Sequence, residues 1–362
     1  MATAAAREAV ERAVLAAKRT LGLLRPQEAR PYLGYGTAEL VHVKGRVREE
    51  PGVDAPHPRD SAWENLTDTV RLFTATPVPD VPVLVRVGGA TTEVRSDADG
   101  WFRAELRPPA PLAPGWHDVH TTLLAPRADG AAAAPSVSAV LVPPVDAAFG
   151  VVSDLDDTVL RSGLTTPLRA ALTVLLSNAT TRTPFPGVAA FYRALQAGPS
   201  GTQQNPLFYV SSSPWNLYDV VTTFLDLRKI PRGPLFLRAW GWDEDALPSG
   251  GHAGHKNEVV LRLFATYPDL PFVLIGDSGQ EDPEIYRDLV LARPGRVLAV
   301  FIRDVSEPGR DAAVQAVAQQ VRAAGVPFEL VPDTGAAAAH AAAHGLLSAD
   351  ALPGVLTASR EG

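Results

Sequence analysis

The sequence predicts an α/β protein: a parallel sheet flanked by helices, with a smaller β-sandwich-like domain in front of it and a helix before that. From Gly34 to Val142 apolar residues recur with period two, cut by Pro and Gly, as in short antiparallel strands. After residue 150 the pattern becomes strand–helix alternation, as for parallel strands joined by crossover helices. Where the pattern changes, the apolar run Gly150-Val151-Val152 leads into three carboxylates, Asp154, Asp156 and Asp157. The mouth of such a strand is where an open α/β sheet binds ligands.

The chain of 362 residues is long enough for two domains and a sizeable core. It is 46% hydrophobic and 20% charged, an ordinary globular composition. A net charge of −7 argues against nucleic acid as the main partner, because a phosphate-backbone binder needs a basic footprint. With no cysteine, disulfides and thiolate metal sites are excluded. No apolar run is long enough to span a membrane, and the N-terminus lacks a basic-then-apolar leader. A cytoplasmic location is expected, with peripheral membrane association left open. Lysine is rare: Lys18, Lys44, Lys229 and Lys256 stand in a chain that otherwise uses arginine.

In chain order, Val10, Val14, Ala17, Leu21 and Leu24 share one face of a predicted helix over 4–24. A small, alanine-rich face suits docking on the protein better than lying on a membrane. Strands are predicted around Leu40–Val43, Val70–Leu72, Val83–Val87, Thr91–Val94, Trp101–Leu106, Val119–Leu123 and Val137–Val142. Asp97-Ala98-Asp99-Gly100 reads as a turn. As a calcium loop it would place Arg95 and Leu106 at required ligand positions. His117 and His120 would point to opposite faces of their strand, which argues against a metal pair.

In the second half, strands are predicted at Val151–Ser153, Leu207–Val210, Leu235–Leu237, Phe272–Ile275, Val297–Ile302 and Phe328–Val331. Helices are predicted around Leu168–Ser177, Val188–Leu195, Trp215–Leu225, Lys256–Thr266, Pro283–Leu291 and Asp311–Ala324. An alanine-rich helix with His340 and His344 follows. That pair has metal spacing but lacks the glutamate of a zinc-hydrolase helix, so it reads as structural filler. The resulting domains are 1–30, 31–145, 146–335 and a helical tail at 336–362.

Four strand or helix ends carry chemistry. Asp154 and Asp156 lie two apart on an extended strand end and can face one site, one attacking while the other moves protons. Ser211, Ser212 and Ser213 follow an apolar strand and open a helix, a place that favours an anion. Taken alone, a serine run is more often a cap. A glycine-rich stretch, 250–254, delivers Lys256 to a helix start. The buried strand Phe272–Ile275 ends in Gly276-Asp277-Ser278-Gly279, with Asp282 five residues after Asp277. That tetrapeptide is similar to a serine-protease nucleophile loop, but such enzymes are all-β, and here the loop joins a parallel-type strand to a helix.

In this order, Ser153-Asp154-Leu155-Asp156-Asp157-Thr158, Tyr209-Val210-Ser211-Ser212-Ser213-Pro214-Trp215-Asn216-Leu217-Tyr218, His255-Lys256 and Ile275-Gly276-Asp277-Ser278-Gly279-Gln280-Glu281-Asp282-Pro283-Glu284-Ile285-Tyr286 resemble the haloacid dehalogenase superfamily. Within it, they resemble the phosphatidate phosphatase family typified by the yeast actin-patch enzyme. The resemblance covers roughly residues 148 to 305, and motifs this long rarely match by chance. It implies a haloacid-dehalogenase-like Rossmannoid sheet and a Mg²⁺-dependent phosphatase. Asp154 matches the nucleophile that carries an aspartyl-phosphate. Asp156 matches the general acid/base, its carbonyl a metal ligand, and Thr158 matches a loop-fixing residue. Ser211, with Ser212 beside it, matches the phosphate-binding hydroxyl, and Lys256 the cation between phosphate and nucleophile. Asp277 matches a Mg²⁺ ligand, with Asp282 in support.

About 50 residues separate Thr158 from Ser211 and about 40 separate Ser213 from Lys256, mostly consumed by core elements, so little is left for a large cap. A mostly uncapped site suits a bulky phosphate ester, including a membrane lipid such as phosphatidate. The acidic chain, without a basic-aromatic patch, weighs against lipid. A soluble phosphomonoester or phosphoprotein is the alternative substrate. A non-catalytic scaffold is the alternative class. The sequence names no protein partner.

Overall fold

The computed structural model describes residues 26–49, 77–124, 134–155, 185–238, 252–305 and 310–361. The chain divides into two compact units, Met1–Val142 and Pro143–Gly362. The predicted helix over 4–24, the strand at 70–72 and the helix at 168–177 lie outside the described residues. No helix among the described residues is long and apolar enough to cross a membrane.

The first unit holds β1 (Gln27–Pro31), β2 (Gly34–Gly36), β3 (Val41–Glu49), β4 (Pro82–Val87), β5 (Ala90–Arg95), β6 (Trp101–Leu106), β7 (Gly115–Leu123) and β8 (Ser136–Val142). Hydrogen bonds run through all eight in one sheet, in the order β1-β3-β2-β8-β7-β4-β5, with β6 on β3. Every pairing is antiparallel except β2 with β8. Period-two patterning sets the core: Val41, Val43 and Val47 of β3 are buried with Val83, Val85 and Val87 of β4. Alternate side chains face opposite sides of a strand, so one face goes inward. The Asp97–Gly100 stretch is a turn. Asp97 Oδ1 accepts the N–H groups of Asp99 (3.0 Å) and Trp101 (2.8 Å), and Gly100 adopts a φ of 77°.

The second unit contains β9 (Gly150–Asp154), α1 (Val188–Ala197), β10 (Leu207–Pro214), α2 (Tyr218–Leu227), β11 (Leu235–Arg238), α3 (His252–Thr266) and β12 (Phe272–Asp277). It continues with α4 (Asp282–Ala292), β13 (Val297–Arg303), α5 (Asp311–Ala323), β14 (Phe328–Val331), α6 (Thr334–Ala343) and α7 (Leu352–Arg360). The sheet order is β11-β10-β9-β12-β13-β14 and every pair is parallel. Counted along the chain this is 3-2-1-4-5-6, an order whose direction of winding reverses between its first and fourth strands. Those strands are β9 and β12. Every residue of both is buried, as in a sheet covered on both faces.

Some boundaries move. The helix predicted from Trp215 is a 3₁₀ turn, Trp215–Leu217, followed by α2, and β10 runs on through the serines to Pro214. The helix predicted from Lys256 begins at His252, so Lys256 sits past its first turn. Asn205, fully buried, braces the entry to β9. Its Oδ1 accepts from Ala148 N–H (2.9 Å) while its Nδ2 donates to the Leu195 carbonyl at the end of α1 (2.9 Å).

Candidate active site

Strand register assembles the site. In β10, Val210 pairs with Asp154, so Ser211 stands one residue beyond that level. In β12, Ile275 pairs with Ser153, which carries Gly276 and Asp277 to the level of Asp154 and past it. The acidic end of β9 therefore lies between two strands that also end in polar residues. Asp154, Asp277, Asp282 and Ser278 are fully buried, and Ser211 and Lys256 nearly so.

Lys256 reaches this cluster from α3, 102 residues away in sequence, and its ammonium donates to Asp154 Oδ1 at 2.9 Å. It also donates to Asp282 Oδ1. Burial by itself would lower the lysine pKa; the Asp154 and Asp282 carboxylates more than offset that and hold it above its ordinary value.

The loop after β12 is shaped by its own aspartates. Asp277 Oδ1 accepts from the N–H groups of Gly279 (2.8 Å) and Gln280 (3.0 Å). Asp282 Oδ2 accepts from the Asp277 N–H at 3.2 Å. Asp282 can lie there because residue 276 has no side chain: a methyl at Gly276 would stand 2.8 Å from the Asp282 Cβ. Asp282 and Glu284 occupy the first turn of α4 beside Pro283, where negative charge meets the positive end of the helix dipole.

Two supports escape sequence reasoning. Arg310 donates to the Ser278 carbonyl (2.6 Å), to the Gln280 carbonyl and to Glu284 Oε2 (2.9 Å), clamping the loop from a residue just before α5. Tyr192 of α1 donates to Ser153 Oγ (2.6 Å), whose own hydroxyl donates to the Asp154 carbonyl (2.7 Å). Burial keeps the Tyr192 phenol protonated, its pKa raised above the usual value. Nothing in the local sequence marks either residue, since one is a single arginine just before a helix and the other sits on an ordinary apolar helix face.

One donor oxygen from each of Asp154, Asp277 and Asp282 lies within 4.8 Å of the others, close enough to share one cation. Lys256 sets one positive charge against these three carboxylates. A buried group with excess negative charge is costly unless a further cation joins it. The donors are hard oxygens, with no imidazole among them, which fits Mg²⁺.

The structure brings together Asp154, Lys256, Asp277 and Asp282, and sets Ser211 on the strand next to Asp154. Ser212, partly exposed, follows Ser211 on β10, and the Ser211 hydroxyl accepts from the Ser213 N–H at 2.9 Å. Asp156 and Thr158 lie outside the described residues.

Residues 149–304 match the family model of the phosphatidate phosphatase APP1 catalytic domain. Over this segment, less than half of the chain, the protein is similar to that family. Phosphatidate phosphatase APP1 of Saccharomyces cerevisiae is 27% identical over 163 residues, 45% of this chain and 27% of the relative. The uncharacterized protein C29B5.04c of Schizosaccharomyces pombe is 31% identical over 161 residues, 43% of this chain and 25% of the relative. The similarity thus spans only a minor part of each curated relative's length. Among solved structures, a carbohydrate acetylesterase from Xanthomonas citri aligns over 82% of this chain and 74% of its own. At 14% identity and a TM-score of 0.28, that alignment carries no argument about fold or activity.

Proposed function

We propose that this chain is a Mg²⁺-dependent phosphomonoester hydrolase of haloacid-dehalogenase-like fold that works through an aspartyl-phosphate on Asp154, with phosphatidate as its substrate class. The first unit is taken as its β-sandwich-like domain. The observation that carries the reading is the buried Asp154 carboxylate, held by Lys256 at 2.9 Å at the strand reversal beside Asp277 and Asp282. Phosphoryl transfer is mostly positioning and charge neutralisation, and this site supplies both.

In the first step an Asp154 oxygen bonds to phosphorus as the bond to the leaving oxygen breaks, and Asp156 protonates the departing alcohol. In the second, Asp156 takes a proton from water, the water attacks phosphorus, and inorganic phosphate leaves with Asp154 restored. Ser211, with Ser212, holds phosphoryl oxygens, and Thr158 takes the loop-fixing role that its place in the motif implies. Lys256 orients Asp154 and offsets phosphate charge. Asp154, Asp277 and the Asp156 carbonyl would hold Mg²⁺, which when bound supplies the positive charge that lets a phosphate dianion approach these carboxylates. Asp282, with one oxygen on Lys256 and the other on the Asp277 N–H, serves chiefly to hold the lysine and the loop.

The test is phosphate release from phosphatidate in mixed micelles, compared with a panel of soluble phosphate esters, with Mg²⁺ and with excess chelator. Mg²⁺-dependent turnover that favours phosphatidate supports the whole reading. Turnover confined to soluble esters keeps the chemistry and overturns the lipid assignment. No turnover of any ester, aryl phosphates included, overturns the catalytic reading in favour of a scaffold.

A further inference from the structure

A second group of donor side chains lies three strands from β9, at the edge of the parallel sheet. Glu329 stands on the edge strand β14, and His340 and His344 come from α6, which follows it. One donor atom from each lies within 4.8 Å of the others. His340 Nδ1 is 3.4 Å from Glu329 Oε2, and His344 Nε2 is 3.2 Å from Oε1, so each carboxylate oxygen faces its own imidazole. The spacing of four puts both rings on one helix face. Although His344 caps the helix, its N–H still donates to the His340 carbonyl at 3.0 Å, so the turn that aligns the rings is intact. The residues between them are three alanines, which leave the approach clear.

We infer that Glu329, His340 and His344 form a binding site for a borderline divalent transition metal, with Zn²⁺ as its probe. The carboxylate absent from the helix sequence comes instead from the neighbouring strand. Two imidazoles and a carboxylate are a zinc donor set that leaves a fourth position for water. His344 Nε2 is also within hydrogen-bond distance of Glu329 Oε1, which holds these two side chains together before an ion binds. Ligands at about 2.0–2.2 Å from a tetrahedral zinc stand about 3.3–3.5 Å apart. The observed 3.2 and 3.4 Å lie close to that span. The imidazoles are 46% and 33% exposed and the carboxylate 18%, so an ion can enter from solvent onto a donor that is already fixed. The two clusters of this unit then sort metals by donor type: hard carboxylates for Mg²⁺, imidazole for Zn²⁺ or its neighbours. Bound there, the ion would pin α6 to the edge strand.

The experiment is calorimetric titration of Zn²⁺ into the chelator-stripped full chain with Mg²⁺ in excess, followed by thermal melting. One equivalent of Zn²⁺ is expected to bind and to raise the melting temperature. His344→Ala and Glu329→Gln should each weaken binding at least tenfold and abolish the rise, with turnover in Mg²⁺ unchanged. Asp277→Asn should keep the Zn²⁺ equivalent. Glu329→Gln preserves side-chain shape, so it decides the matter if His344→Ala fails to fold. Absence of Zn²⁺ binding to the parent chain, affinity unchanged in both variants, or loss of the equivalent in Asp277→Asn would each overturn the site.

Discussion

The two sheets of this chain use their side chains in opposite ways. In the eight-stranded sheet, β3 and β4 largely alternate buried with more exposed residues, and one face is given to a valine-rich core. In the six-stranded sheet, β9 and β12 are buried throughout, and their polar residues collect at the strand ends. An antiparallel sheet with one wet face offers the chain no recess. A parallel sheet covered on both faces forces its polar residues to the end of the strand, where they are buried together. The same substitution should therefore cost stability in the first sheet and chemistry in the second.

The sharpest way to break that contrast is Asp154→Asn. It should abolish turnover, on the order of 10⁴-fold or more, while the chain stays folded. Intact mass after incubation with an aryl phosphate should show no acid-stable adduct, and a surviving adduct would move the nucleophile elsewhere. Lys256→Ala should cost both kinds of quantity, because it removes the cation from two buried carboxylates. Breaking a buried pair costs about 3–5 kcal/mol. Turnover should fall more than about tenfold, equivalent to 1.4 kcal/mol of transition-state stabilisation. Unchanged melting and turnover would make Lys256 a bystander.

Arg310→Ala tests whether the loop needs its outside clamp. A drop of about 10–10²-fold in turnover is expected as the loop loosens, with a stability loss of about 1–3 kcal/mol from the lost hydrogen bonds. The smallest effect on activity belongs to the first sheet. Thr121 is buried and donates to the Ala29 carbonyl at 2.6 Å. Thr121→Val should cost about 1–3 kcal/mol in denaturant unfolding and leave turnover unchanged. A loss of turnover there would show that the contrast between the sheets is not one of chemistry against stability.

What could be read beforehand follows the same division. Continuous apolar runs such as Phe272–Ile275 and Phe328–Val331 announce buried strands, and helices between them announce a parallel sheet, but strand–helix alternation does not encode the order in which winding reverses between β9 and β12. β1 was invisible because Gln27-Glu28-Ala29-Arg30-Pro31 offers one small apolar side chain at its centre, and β2 because it is three residues long. α7 buries only Val355, so it shows little apolar stripe. Asp154, Asp277 and Ser211 were legible from their places at strand ends, and Lys256 from its rarity and motif, although it lies past the first turn of its helix. Asp282 sits where the motif puts it, yet its grip on Lys256 depends on a geometry that spacing does not encode. Glu329 was missed as a partner for His340 and His344 because the three meet only when α6 folds back beside β14.

Gly276 lies inside a strand, at neither a turn nor a positive φ, and the three atoms nearest to where its side chain would stand all belong to Asp282. The two positions are therefore one choice rather than two. A side chain at 276 evicts the carboxylate that holds both Lys256 and the Asp277 N–H, whereas once residue 282 has no side chain those clashing atoms are gone. Gly276→Ala should thus be damaging in the parent chain and much milder on top of Asp282→Gly, which removes the Cβ 2.8 Å away as well as the carboxylate, a strongly non-additive pair in a double-mutant cycle of turnover and melting. Sequence change at this site can proceed only by moving both residues together, which makes the Gly–Asp pair a ratchet: easy to keep, hard to leave one step at a time.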